Sequence, residues 1–429
     1  MLNKTLQSQA NTVRQVDHIA LILGAIFLGV NALSLSILRA STSYLLIWLI
    51  WTLGAVIGVI ILNKKIPLRS SLIFPIPMVL SGWGLIIIAR LLPQFGIRQS
   101  IWLMVSLGVM LMIAISPHFL RLLNRYRYII LFIGFVLLIS TIVFGSNPSG
   151  FGPRLWLNVS NFFFQPSEIM KILLVAFLAS YLGEQSPILR SKSLQTSAKN
   201  IWLLPRVIGP ILLMWGISII FLILQRDLGT ASIFFVVFVL MFYIASGYKR
   251  VLFGGIALTV IAAVIAYFLF AVVQLRIDIW LDPWAEADGR AYQIVQSLMA
   301  ISNGGILGQG IGQGYPLYIP VVHSDFIFSA MAEEFGLIGI IVLIGSMLIL
   351  IGKSFQIGIQ HQKNAFNALL AIGLGLLIAT QSILIMAGVI KLLPLTGVTL
   401  PFMSYGGSSL FMSMILTGIL IRLSGELVE

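Results

Sequence analysis

The chain has 429 residues, is 59% hydrophobic and only 9% charged, and carries a formal net charge of +13 with no cysteine. A soluble domain is about 25% charged, so this composition, with a mean hydropathy of +1.05, excludes a water-soluble fold and indicates a polytopic membrane protein. The missing cysteines exclude disulfides, thiol chemistry and Cys-based metal sites.

Residues 1–18 are polar, and no cleavable signal peptide follows them. Apolar runs then predict an all-α bundle of twelve membrane spans: 19–38, 44–62, 71–90, 99–116, 128–145, 168–183, 207–224, 229–247, 251–273, 326–350, 366–390 and 408–422. An even number places both termini on one side of the membrane. With cytoplasmic termini, the outer loops and helix mouths hold only Arg39, Arg90, Arg98, Arg154, Arg226, Arg276, Arg290 and Lys391 of the 26 basic residues, and Lys171 lies within a span. The other 17 then face the cytoplasm, as the positive-inside rule requires. The excess positive charge is therefore a topology signal, and no nucleic-acid partner is expected. Acids run the opposite way, so polar chemistry gathers on the extracytoplasmic face.

Taken in chain order, the first outer segment with unusual character is 146–167, "SNPSGFGPRLWLNVSNFFFQPS", where turn formers stand beside aromatics. It leads into "QPSEIMK". Glu168 and Lys171 are three residues apart and share a helical face. Either they are an ion pair that lowers the cost of two membrane-embedded charges, or Lys171 waits for an anionic substrate, with Arg154 nearby in the loop. "QRDLGT", from Gln225 to Thr230, reads as an outer turn whose charges sit in water.

Residues 274–325 form the longest non-spanning stretch, too long for a mere connection. Its "GGILGQGIGQG" lacks the flanking strand and Lys-Ser/Thr of a phosphate loop and reads as a flexible outer loop. "VVHSDFIFSAMAEEFGLIG" follows. Glu333 lies about 12 Å along a helix from Asp325 and roughly 80° round it, and Glu334 points almost opposite Asp325. The three carboxylates therefore form neither a metal cluster nor a glycosidase-type pair. Glu333 and Glu334 are expected to satisfy buried donors or to be protonated. Asp325, beside His323 and Ser324 at the outer mouth of a helix, is the candidate base; the alternative is a simple N-cap. Residues 391–407, "KLLPLTGVTLPFMSYGG", are rich in Pro and Gly yet apolar, which predicts irregular backbone packed against helices.

Six stretches carry a resemblance: "IRQSIWLMVSLGVML", "GPRLWLNVSNFFFQPSEIMKILLVAFLA", "QRDLGTA", "LDPWAEADGRAYQIVQSLMAISNGGILGQGIGQG", "IPVVHSDFIFSAMAEEFGLIG" and "LLPLTGVTLPFMSYGGSSL". In this order, over roughly residues 71–425, the chain resembles the SEDS family (shape, elongation, division and sporulation), which includes RodA and FtsW. The resemblance implies a peptidoglycan glycosyltransferase of the bacterial cytoplasmic membrane, active on its outer face in elongation or division. It further implies lipid II as donor and acceptor, membrane lipids around the bundle, and a class B penicillin-binding protein as partner.

Carried over residue by residue, the family's catalytic aspartate falls on Asp325, its Ser-Glu-x-x-Lys pair on Glu168 and Lys171, its loop arginine on Arg154 and its second-span basic residue on Arg98. His323 and Ser324 flank the base and join the substrate-binding set. The chain departs from the family pattern at Arg226, where proline is usual, and at Val321, where the family commonly has glutamate. Ten spans are usual, so residues 1–66 are expected to be a tail plus two accessory helices, and 67–429 the catalytic core with its outer loop 274–325. Basic residues are expected at the diphosphate leaving group, and a divalent cation is conceivable there, although no spacing identifies a metal site. The rival readings are a flippase for the same lipid and a non-enzymatic scaffold.

Overall fold

The computed structural model describes residues 2–147, 153–159, 162–189 and 203–427. The cytoplasmic loop expected around Arg190, Lys192 and Lys199 lies outside the described residues. In chain order the helices are α1 (Leu2–Leu38), α2 (Ser43–Lys65), α3 (Pro75–Leu91), α4 (Pro93–Ile115), α5 (Phe119–Arg125), α6 (Arg127–Phe144), α7 (Pro166–Leu189), α8 (Leu203–Leu224), α9 (Leu228–Ser246), α10 (Lys249–Leu269), α11 (Ala271–Leu281), α12 (Tyr292–Gly304), α13 (Ile327–Gln360), α14 (Ala365–Val389) and α15 (Gly407–Glu426). A short antiparallel hairpin, β1 (Leu157–Val159) with β2 (Phe162–Phe164), interrupts them in the aromatic segment between α6 and α7.

Among the described residues, ten helices are long and apolar enough to cross a membrane, so the chain is a multi-pass membrane protein. Every expected span coincides with a helix, but a count of twelve crossings does not follow. The third and seventh fall on shorter apolar stretches, Pro75–Leu91 and Leu212–Leu224. At 17 residues α3 is short for a crossing, and it is enclosed by protein. Nearly all of its residues, from Pro75 to Leu91, are buried by protein, and a helix that is apolar all round belongs inside a bundle.

The chain divides into two compact units. The first comprises residues 1–116, 266–353 and 381–429. In it α1, α2, α3 and α4 pack on one another, and α15 lies along α4. The expected accessory helices are thus well embedded. Phe27 of α1 meets Trp83 at 5.2 Å, and Trp83 meets Phe335 at 5.1 Å, both edge-on. Asp17 pairs with Arg69 at 2.6 Å with both side chains fully buried, and it also accepts the Leu72 amide. The second unit comprises 117–265 and 354–380, where α7 packs against α6, α8 and α9.

Two irregular backbone features shape the first unit. Residues between α14 and α15 are non-helical, yet Val398, Leu400, Phe402 and Met403 are buried, as the apolar Pro/Gly composition predicts. The other feature is a break in α13 at Gly336, where φ is 63° and ψ −165°. The loop after α12 straps this break. Gln309 and Gly310 donate to the Glu333 and Glu334 carbonyls, and Leu337 and Ile338 donate to Gly305 and Ile306. The glycine-rich stretch read as a flexible loop is therefore a hydrogen-bonded brace. Its glycines are needed because the chains nearly touch: a Cβ on Gly336 would collide with the Gly308 amide, and one on Gly308 with the Glu334 carbonyl.

Gly336→Ala should lower the melting temperature of the purified protein by a few degrees. The positive φ alone costs an L-residue about 1–3 kcal/mol, and the collision adds to it. Gly352, on the same helix with open space around it, supplies the control Gly352→Ala. Identical melting curves for the two variants would show that the brace does not bear on stability.

Candidate functional site

The loop before α13 and the irregular segment before α15 bring a cluster of polar groups together in the first unit. Asp325 lies two residues before the helix and one before its cap, since the Phe326 carbonyl takes the Ser329 and Ala330 amides. The capping alternative is thus replaced by a freer carboxylate, whose Oδ1 accepts the Ser324 hydroxyl at 2.9 Å. A Cβ built on Gly397 would stand 3.6 Å from Asp325 Oδ2 and 3.7 Å from Arg276 Nη2, so both groups converge on this glycine. Arg276, from α11, is held by its Nη1 donating to the Thr396 carbonyl at 3.1 Å.

Asp325 keeps part of its surface accessible while protein packs densely around it. Burial pushes its carboxyl above the usual carboxylate range; the Ser324 hydroxyl and the Arg276 charge oppose this without cancelling it. His323 is pushed down by burial and is neutral at neutral pH. Its ring lies 5.0 Å from Phe95 and 5.5 Å from Tyr405, which themselves stack at 4.4 Å. His323 is thus an anchor in an aromatic cluster, and its carbonyl accepts the Tyr405 amide at 2.8 Å.

Ser404 ties the two loops. Its hydroxyl donates to the Ser324 carbonyl at 2.6 Å and accepts the Leu400 amide at 2.8 Å. Gln99 of α4 adds bonds to Ser404 and Gly406. Arg98, the neighbouring residue, is exposed. Arg276, Ser404 and Gln99 were not singled out from the sequence, because their partners lie 120, 80 and 305 residues away. A basic residue in a short, largely apolar helix was the available signal for Arg276.

Glu333 and Glu334 stay out of this cluster. Glu334 pairs with Arg90 at 2.6 Å with both side chains buried, and Glu333 accepts the Tyr315 amide at 3.1 Å. Glu333 thus satisfies a buried donor, and Glu334 is buried as the ion-pair partner of Arg90.

The remaining candidates belong to the second unit. Glu168 and Lys171 form the i,i+3 pair at 2.7 Å, almost fully buried. Arg154 is exposed beside the bridge between Ser146 and Trp156. Asp227, expected in water, is buried. It caps α9 by accepting the Thr230 amide at 3.1 Å and takes the Ser167 hydroxyl at 3.0 Å, while Arg226 alone turns outward. The short Gly-Thr after Asp227 is a capping signal that the charge pair obscured.

A family model described as "Cell cycle protein", covering FtsW, RodA and SpoVE, matches residues 70–428. The chain belongs to this family. Among curated members it is 35% identical over 382 residues to the peptidoglycan glycosyltransferase RodA of Mycobacterium tuberculosis, an alignment spanning 85% of this chain and 79% of that one. It is 32% identical over 383 residues to a probable peptidoglycan glycosyltransferase FtsW of Wigglesworthia glossinidia, covering 85% and 95%. Two solved structures share the fold. One is described as a peptidoglycan synthase complex that coordinates polymerization and crosslinking (TM-score 0.67, 23% identity, 83% and 98% covered). The other is RodA of Thermus thermophilus (TM-score 0.58, 22% identity, 83% and 97% covered). This family member begins its matched region after α1 and α2.

Replacing Asp227 by alanine should remove a helix cap and strand the buried Ser167 hydroxyl, a loss of about 1–3 kcal/mol. Thermal unfolding in detergent would report it, with Asp227→Asn retaining most of the stability. A curve for Asp227→Ala no different from that of Arg226→Gln would contradict the capping role.

Proposed function

We propose that this chain is a peptidoglycan glycosyltransferase that polymerises lipid II at the outer face of the bacterial cytoplasmic membrane, with Asp325 as general base. The observation that carries this reading is the carboxylate itself: partly accessible, desolvated, and flanked by Ser324 and Arg276 at the mouth of a membrane helix. The names of its curated relatives support the reaction class.

In the proposed reaction Asp325 removes the proton from the acceptor's GlcNAc 4-hydroxyl as that oxygen attacks the donor's MurNAc anomeric carbon. The bond from that carbon to the diphosphate oxygen breaks, undecaprenyl diphosphate leaves with the electron pair, and inversion gives a β-1,4 link. A carboxylate with a raised pKa is the better base, since proton-transfer efficiency improves as the pKa approaches the working pH. Developing negative charge on the leaving group requires cations. Lys171, Arg154 and Arg98 are assigned to it, with Glu168 orienting Lys171 and His323 and Ser324 fixing the base. The first two helices, to about residue 66, are accessory to this chemistry. A class B penicillin-binding protein is the proposed partner, which the shared fold with a synthase complex supports.

Asp325→Asn keeps the size and one acceptor oxygen but removes the base. With labelled lipid II and equal amounts of folded protein, glycan synthesis should fall by on the order of 10²–10⁴-fold. Near-normal polymer would remove Asp325 from the role, and leaflet exchange of lipid without polymer would favour a flippase.

The pH profile offers a second check. The base works only when ionised, so activity should fall with decreasing pH at a value above the ordinary aspartate range of about 3.9. Arg276 lowers the Asp325 pKa, so Arg276→Gln should raise it further and move the acid limb to higher pH, while Arg276→Lys should hold it near wild type. An acid limb that does not move in Arg276→Gln would show that the arginine does not act through Asp325.

A further inference from the structure

A cavity that includes none of the residues of the Asp325 cluster opens in the first unit where α1 ends. It has a volume of about 580 Å³ and is lined by Arg39, Arg90, residues 312–314, Leu38, Tyr315, Leu317 and Tyr318. Its wall is built from two parts of the chain. Gly312 approaches α1 so closely that a Cβ there would stand 3.0 Å from the Leu35 side chain. The turn carrying Arg39 is fixed by the Ser36 hydroxyl on the Ser41 carbonyl at 2.6 Å. Arg39 precedes residue 70, where the family match begins, so two of the nine lining residues, Leu38 and Arg39, lie outside the region shared with the family.

The charge presented to the cavity is positive and unspent. Glu333 and Glu334 lie sealed beneath it, 3% and 1% exposed, and both are engaged. Glu334 neutralises Arg90, whose Nη2 also donates to the Gly314 carbonyl. Glu333 holds the Tyr315 amide. Arg39 is exposed, and among the described residues no hydrogen bond or ion pair engages its guanidinium.

The rim is apolar. Leu38 is 50% exposed, Leu317 56%, Tyr318 64% and Tyr315 71%. Four large side chains in water around one arginine would be an unexplained hydrophobic patch. At the end of a membrane-spanning helix they stand at headgroup depth, where aromatic side chains are enriched. A soluble anion would satisfy the arginine and leave the rim unexplained. An anion carrying hydrocarbon satisfies both.

We propose that this cavity binds the phosphodiester headgroup of an anionic phospholipid of the outer leaflet, with Arg39 on the phosphate and an acyl chain over Leu38, Leu317 and Tyr318. Arginine suits this role because its planar donors match phosphate oxygens in pairs.

The test is native mass spectrometry of the purified full-length protein, titrated with phosphatidylglycerol or with phosphatidylcholine of the same chains. Wild type should retain phosphatidylglycerol about tenfold more tightly than phosphatidylcholine. Arg39→Gln should abolish the preference, and Arg39→Lys should keep part of it. Arg226→Gln, which removes an exposed arginine at another turn, should leave the preference intact. Glycerol phosphate, the headgroup without chains, should not compete at lipid concentrations. The proposal is overturned if wild type shows no preference, if the preference survives Arg39→Gln, or if glycerol phosphate competes as well as the lipid, which would make the site one for a free anion. The wild-type comparisons with the two lipids and with glycerol phosphate require no variant to fold.

Discussion

Backbone amides and carbonyls that leave the helical ladder inside a bilayer must find partners within the protein, because no water is there to supply them. An unmatched group costs a few kcal/mol. The break at Gly336 would expose such groups. The loop from Gly304 to Gly310 satisfies them from outside the helix, carbonyl by carbonyl. The same requirement governs the irregular segment before α15, where Gln99, Gln381, Ser404 and Arg276 each bind its backbone. Asp325 lies where these two solutions meet: it follows the strapped loop, precedes the broken helix, and faces the stapled segment. Its position is therefore set by backbone pairing more than by side-chain packing.

Charges obey a related rule. Asp17 with Arg69, Glu334 with Arg90, and Glu168 with Lys171 are buried as pairs. Desolvation cancels much of the attraction in such pairs, so they add little net stability, but removing one partner strands the other at about 3–5 kcal/mol. Glu334 with Arg90 joins α13 to α3, and Asp17 with Arg69 joins α1 to the loop before α3, whereas Glu168 and Lys171 lie on one helix. Asp325 is treated differently: it receives a hydroxyl and a nearby positive field in place of a close ion pair, which leaves its basicity intact.

The fold was legible wherever hydropathy decides it, and each expected span has its helix. Reading failed where a short segment is governed by a distant one. The glycine-rich stretch from Gly304 to Gly314 suggested mobility, since nothing local showed that Glu333 and Glu334 carbonyls would hold it. Asp227 looked solvated beside Arg226, and only the folded second unit brings Ser167 to it. At the site, the motif residues Asp325, Ser324 and His323 were visible as neighbours in sequence. Arg276 and Ser404 were not, because α11 and the segment before α15 meet the Asp325 loop only through tertiary structure. Nor does spacing reveal how deeply protein packs around Asp325, which is what raises its pKa.

The buried pair between Asp17 and Arg69 carries a consequence for biogenesis. The two residues are 52 positions apart, so the ribosome delivers α1 with its acid before the matching base exists. The loop that carries Arg69 also rests on α15, through the Ser70 amide and the Ser424 hydroxyl, 354 positions apart. Helices enter the membrane in the order of synthesis, yet the seat of the first is completed by the last. The nascent chain must therefore hold an unmatched carboxylate in α1 until Arg69 follows it, and the loop that carries Arg69 gains its last support only when α15 is made.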